Sequence, residues 1–72
     1  MALGQLGRTA DAIGELEWAT RLLPADAASH LNLAVAYAQA NRFPDARREA
    51  QRALEIQPDY DRAKALLSAL PK

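Results

Sequence analysis

The sequence predicts an all-α fold, an α-solenoid of antiparallel helix pairs, and three observations lead there. Two prolines that each follow an apolar turn, Pro24 and Pro58, stand 34 residues apart and mark an internal repeat. Apolar residues between them recur at three- and four-residue intervals, the period of a helix with one buried face. Half of the 72 residues are hydrophobic, Ala and Leu dominate that half, and aromatics make up only 6%, a composition that suits closely packed helices. The same 34-residue shift lays Ala2 on Ala36, Gln5 on Gln39, Arg8 on Arg42, Asp11 on Asp45, Ala12 on Ala46, Glu15 on Glu49 and Ala19 on Ala53. Seven further matches at one offset exceed what helix composition gives, although an Ala-rich chain inflates the alanine ones.

Each element has its own boundary signals. A first helix is expected from about Thr9 to Leu23, with Gly7 turning the chain before it and Pro24 ending it. Asp26 precedes a second helix and is placed to accept hydrogen bonds from its free amides. Leu31, Ala34, Val35 and Ala38 carry that helix's apolar face until the break at Asn41 to Pro44. Pro44 fits the first turn of a third helix, where the N–H it lacks would be unpaired anyway. Ala46, Ala50, Ala53 and Leu54 continue the pattern, and Pro58 closes the pair. From Asp61 a last helix presents Ala63, Leu66, Leu67 and Leu70 as one stripe and stops at Pro71. The chain thus divides into a partial repeat (1–26), a complete repeat (27–60) and a capping helix (61–72), about two repeats in one domain.

A 34-residue helix-turn-helix unit with this frame resembles the tetratricopeptide repeat. In the complete unit, His30, Leu33-Ala34, Tyr37, Ala46, Ala50 and Pro58 fall on the family's Trp, Leu-Gly, Tyr, Ala, Phe and Pro. Leu33, Tyr37, Ala46 and Pro58 agree in type, whereas His30, Ala34 and Ala50 depart from the pattern. Leu3, Ala12, Leu16, Ala19 and Pro24 follow it in the first unit. The small residues Ala34 and Ala46 let the two helices approach closely. Lys64 stands where the next unit would carry a buried Trp, so the last helix is expected to be a solvating cap and the natural end of the array.

The resemblance implies a protein or peptide partner, bound in a concave groove lined by the first helix of each pair. That mapping selects Leu31, Asn32, Val35 and Gln39 in the complete unit, and Arg62 and Leu66 in the cap. The alternative is that these residues are simply the semi-exposed face of short helices. One subset of the family holds a peptide's terminal carboxylate with Asn and basic side chains, and Asn32 and Arg62 lie at two of its positions. Leu66 stands where that subset is basic, which argues against such a clamp here. Trp18 falls on the outer side of its helix, where a charged residue is usual, and is the foremost single candidate for a partner contact. The other reading of Trp18 is local packing of its ring over Gly14.

In this register the first unit lacks most of its first helix, leaving Ala12, Ile13, Leu16, Ala19 and Leu22 without local cover. Three large side chains left open forfeit roughly 1.5–3 kcal/mol each, against a total stability of about 4–11 kcal/mol for a chain this size. Upstream repeats, a different protein or a second copy of the chain would cover them. The last gives a homodimer through Ile13, Leu16 and Trp18 with twofold symmetry.

Other functions find little support. Nine Lys and Arg balance nine Asp and Glu, so nothing draws the chain toward nucleic acid or an anionic membrane. The apolar stretch of Met1–Gly7 is too short for a signal peptide, and no later stretch approaches a membrane span. Without cysteine the redox compartment stays open, with the cytoplasm as default. No small-molecule substrate, cofactor or metal is expected. His30, the one histidine, is read as a packing residue with no second His and no buried acid to orient it, Ser29 as serving its helix's first turn, and Gly4 and Gly7 as turn and helix-end residues rather than a phosphate cradle. Arg47, Arg48 and Arg52, interleaved with Glu49 and Glu55, read as a solvated helix face.

Overall fold

Two helices, α2 (Ala27–Gln39) and α3 (Phe43–Ile56), lie side by side where the sequence predicts an antiparallel pair. The structure, a computed structural model, describes residues 2–71, with side chains from Asp11 onward; Leu3 therefore lies outside the described side chains. A three-residue turn joins the pair. Its middle residue, Asn41, has φ 62°, a left-handed conformation that asparagine tolerates better than most side chains. The Arg42 amide donates to the Tyr37 carbonyl at 2.8 Å, and the Ala40 amide to the carbonyls of Ala36 and Tyr37 at 3.1 Å, so the last turn of α2 keeps its acceptors satisfied. Pro44 occupies the first turn of α3, as its missing N–H allows.

Alanine makes the seam between them. Ala34 of α2 and Ala46, Ala50 and Ala53 of α3 are each 0% exposed. These small side chains on α3 receive the larger ones of α2, Leu31 beside Ala53 and Leu33 and Tyr37 beside Ala46, which favours close approach of the two helices. The molecule is correspondingly thin, with extents of 38 × 29 × 16 Å.

Two apolar clusters flank the seam. Ile13, Leu33, Ala36, Tyr37 and Ala46 join α1 (Ala2–Leu22) to the pair, with Leu16 and Leu70 packed on their edge. Ala27, Leu31, Ala53 and Ala63 join α4 (Asp61–Ala69), with Val35, Leu54, Tyr60 and Leu66 around them. Among the described residues α1 packs against α2 alone, while α4 packs against α3 and touches α2. The Arg47 guanidinium donates to the Pro71 carbonyl at 2.7 Å and ties down the chain beyond α4.

Three expectations are corrected. Gly7 does not turn the chain: α1 is one helix from Ala2, running through Gly4 and Gly7. The turn at the equivalent residue, Asn41, exists because α2 has α3 to fold against. Continuing the helical hydrogen bonds through a glycine costs about 1 kcal/mol, little enough for α1 to run on through Gly4 and Gly7. Ile13 does not await a partner, because α2 meets that side of α1 and leaves Ile13 only 6% exposed. Asp26 occupies the N-cap of α2, but its side chain makes no capping bond; Oδ2 instead accepts from the Ser29 hydroxyl at 2.6 Å.

Because Ala50 is 0% exposed, Ala50→Leu is expected to lower stability by about 1–3 kcal/mol through overpacking. Urea unfolding followed by circular dichroism reads this directly; an unchanged midpoint would mean that α2 and α3 are not in close contact at Ala50.

Candidate functional site

Helix geometry decides which of the candidate residues reach solvent together. On α2, Asn32, Val35 and Gln39 follow one another at helical spacing, with Asn32 and Gln39 exposed and Val35 half-buried. On α4, Arg62 is exposed and Leu66, one turn later, is half-buried. Val35 and Leu66 pack against the same buried cluster, and α2 and α4 are in contact. Leu31 does not reach solvent with them. At 1% exposed it is the most deeply buried large side chain, wedged among Ala27, Ala53 and Ala63, where no ligand reaches it. Its position three residues from Ala34 and four from Val35 gave the sequence no means of separating inward from sideways.

A second surface lies on α1. Trp18 is 60% exposed and borders a shallow depression with Asp11, Gly14 and Glu15. A side chain built at Gly14 would meet nothing within 4 Å, so the indole is not laid over that glycine. Leu22 and Leu23 are exposed beside it at the end of the helix, and Leu16 is half-buried. Of the three residues expected on a self-association face, Leu16 and Trp18 are thus reachable and Ile13 is not.

Two buried polar links hold these surfaces in place. His30 Nδ1 lies 2.9 Å from Glu49 Oε1, and Nε2 lies 2.9 Å from the Pro24 carbonyl oxygen. The imidazole thus bridges the Glu49 carboxylate and the Pro24 carbonyl, one partner at each ring nitrogen. This corrects two expectations: a buried acid does orient the imidazole, and Glu49 is part of the interior rather than of a solvated face. The reason is that Glu49 falls between Ala46, Ala50 and Ala53, on the side of α3 that faces α2. Arg48 and Arg52 behave as expected, reaching Asp45 at 3.4 Å and Glu55 at 4.0 Å, whereas Arg47 is half-buried and bonds the Pro71 carbonyl instead of an acid. Ser29 bonds to Asp26, not to His30, so no nucleophile is coupled to the ring.

The other link runs from α2 to α1. Tyr37 is 2% exposed and donates its hydroxyl to Glu17 Oε2 at 2.6 Å, while the Arg42 guanidinium stands over the ring, 4.6 Å from its centroid. Burial, and then the hydrogen bond to the Glu17 carboxylate and its negative charge, push the phenol up from 10.0 to about 12. Sequence reasoning missed both links. Glu15 and Glu17 look alike as exposed acids on a helix, and only the crossing of α1 over α2 separates them.

Among the described residues, no group of three or more His, Cys, Asp or Glu could hold a metal ion, and no helix is long and apolar enough to cross a membrane. What the geometry offers is surface. The tetratricopeptide repeat family model matches residues 1–61. The chain belongs to the tetratricopeptide repeat family. Members generally mediate protein–protein interaction and are typically non-catalytic modules. No curated protein and no solved structure gives a match. In the complete tetratricopeptide unit of this chain, His30 in the place of Trp changes a packing position into the hydrogen-bonded link to Glu49.

The raised phenol has a stability consequence whose sign is fixed. Neutral Tyr37 contributes its full share below the ordinary value of 10.0 and loses it as pH rises through about 12. Thermal unfolding between those limits should show a fall in midpoint that Tyr37→Phe lacks. At neutral pH the same substitution should cost about 1–3 kcal/mol for the lost bond to a charged acceptor. Parallel alkaline profiles for the two proteins would show that the Tyr37 phenol is not raised by burial and the Glu17 bond together.

Proposed function

We propose that this tetratricopeptide module binds a segment of a partner protein on the surface shared by α2 and α4, and carries out no catalysis. The observation that supports the reading is that Val35 and Leu66, half-buried apolar side chains on two helices in contact, pack on one cluster, while Asn32, Gln39 and Arg62 on the same helices are exposed; on this reading the two apolar residues make a floor edged by the polar ones. A segment suited to it presents a short apolar stripe to the floor and hydrogen-bonding groups to the amides at its edge. One carboxylate would meet Arg62. Affinity would come from the few anchors that exclude water from Val35 and Leu66.

The test begins with peptides selected against the chain from a display library. Titrated by calorimetry, they should bind Val35→Glu and Leu66→Glu at least about tenfold more weakly, since each places a charge on the apolar floor. Trp18→Ala should bind as the parent does. The variants must keep their helical circular dichroism. Peptides that bind Val35→Glu as well as the parent would overturn the reading.

A second reading, self-association through α1, is supported by the exposure of Trp18, Leu22 and Leu23 along one edge of a helix that packs on α2 alone among the described residues. Ile13 has no part in it.

A further inference from the structure

We propose that the surface cleft between α1 and α3 is a second docking site, which takes one acidic side chain of a partner protein together with an apolar residue beside it. The site is separate from the surface shared by α2 and α4 and does not depend on it.

Helices α1 and α3 both pack on α2, and among the described residues their backbones stay apart. The gap between them is a cleft of about 350 Å³. Thr20, Arg21 and Pro24 line it from one side, Arg52, Glu55 and Ile56 from the other, and His30 of α2 lies between. All three helices are in place here, so the cleft is a product of their packing. His30 also fixes its shape, because the ring bonds Glu49 on α3 and the Pro24 carbonyl in the turn after α1, and so ties both sides together. A site set before its ligand arrives loses less freedom on binding.

The chemistry of the lining selects the occupant. The Thr20 hydroxyl donates to the Glu17 carbonyl at 2.8 Å and both His30 nitrogens are engaged, which leaves the guanidinium groups as the donors of the cleft. Arg21 makes no ion pair among the described residues, and Arg52 reaches Glu55 only at 4.0 Å. An exposed pair that long holds a side chain weakly. Two guanidinium groups against one carboxylate leave a single positive charge, the complement of one further carboxylate, which guanidinium groups bind well. A phosphate group carries more negative charge and would leave Glu55 opposed.

The surroundings are apolar. Ile56 in the cleft, and Leu22 and Leu23 in a depression that shares Pro24 with it, are three of the four large hydrophobic side chains exposed among the described residues. Ile56 stands one repeat after Leu22, on the closed pair of α2 and α3, and is exposed there too; exposure at this position therefore belongs to the outer side of the helix.

An NMR titration of the isotope-labelled chain with a short peptide carrying one glutamate between leucines tests the proposal. The amide signals of Thr20, Arg21, Arg52 and Glu55 should move, with a dissociation constant in the millimolar range or tighter. Arg21→Gln and Arg52→Gln should each weaken binding about tenfold, and Glu55→Gln should strengthen it. All three positions are exposed. The same peptide with glutamine in place of glutamate should bind the parent chain about tenfold more weakly, a reading that needs no substitution in the protein. Signals that stay in place, or equal binding of the glutamine peptide, would overturn the site. So would the same shifts produced by inorganic phosphate at equal concentration, which would mean a site for free anions, or by concentrating the chain alone, which would mean a second copy in the cleft. Shifts confined to Asn32, Val35 and Leu66 would overturn the cleft and leave the surface of α2 and α4 standing.

Discussion

Close contact between α2 and α3 is the constraint on which the rest of the structure depends. Ala34, Ala46, Ala50 and Ala53 contribute little apolar area each, yet by keeping the helices near one another they allow a molecule 16 Å thick to bury anything at all. A thin slab has no deep interior. Its larger side chains, Ile13, Leu31, Leu33 and Tyr37, are buried only where a third helix lies over the pair, with α1 on one side and α4 on the other. Function in such a body belongs to faces rather than cavities, which is what a helical-repeat module offers a partner.

The polar links follow from the same closeness. Glu49 lies among the alanines of the seam, so its carboxylate is enclosed and requires a partner; His30 supplies one and, through Pro24, fixes the turn that delivers α1. Tyr37 does the equivalent work at the other end, holding Glu17 of α1 with its hydroxyl and Arg42 of the turn with its ring. Among the described residues no buried side-chain polar atom lacks a hydrogen-bond partner. That full satisfaction matters in a small protein, where one unmade bond would cost about 1–3 kcal/mol.

The fold was legible in the sequence because its signals are local and periodic. Two prolines at one interval, alanines at helical spacing and a proline in the first turn of α3 place the elements without reference to distant contacts. The surfaces were legible only in part. Asn32, Gln39, Arg62 and Trp18 are on the surface as their register implied, but Leu31 and Ile13 lie in the core, because periodicity gives a helix's apolar arc and not which edge of that arc a third helix covers. Gly7 misled for a different reason: a glycine permits a turn without requiring one, and α1 continues through it. Glu49 and Glu17 escaped notice because their roles are set by partners 19 and 20 residues away.

The central claim is that α2 and α3 form a closed pair, with α1 laid on α2 and α4 laid chiefly on α3. Amide hydrogen exchange of the dilute chain, resolved by residue, tests this most directly. The slowest amides should be those of α2 and α3 around Ala34, Ala46, Ala50 and Ala53, with the first turns of α1 and the whole of α4 exchanging through separate, easier openings. Uniform protection across all four helices, or an α1 as slow as α2, would contradict the account.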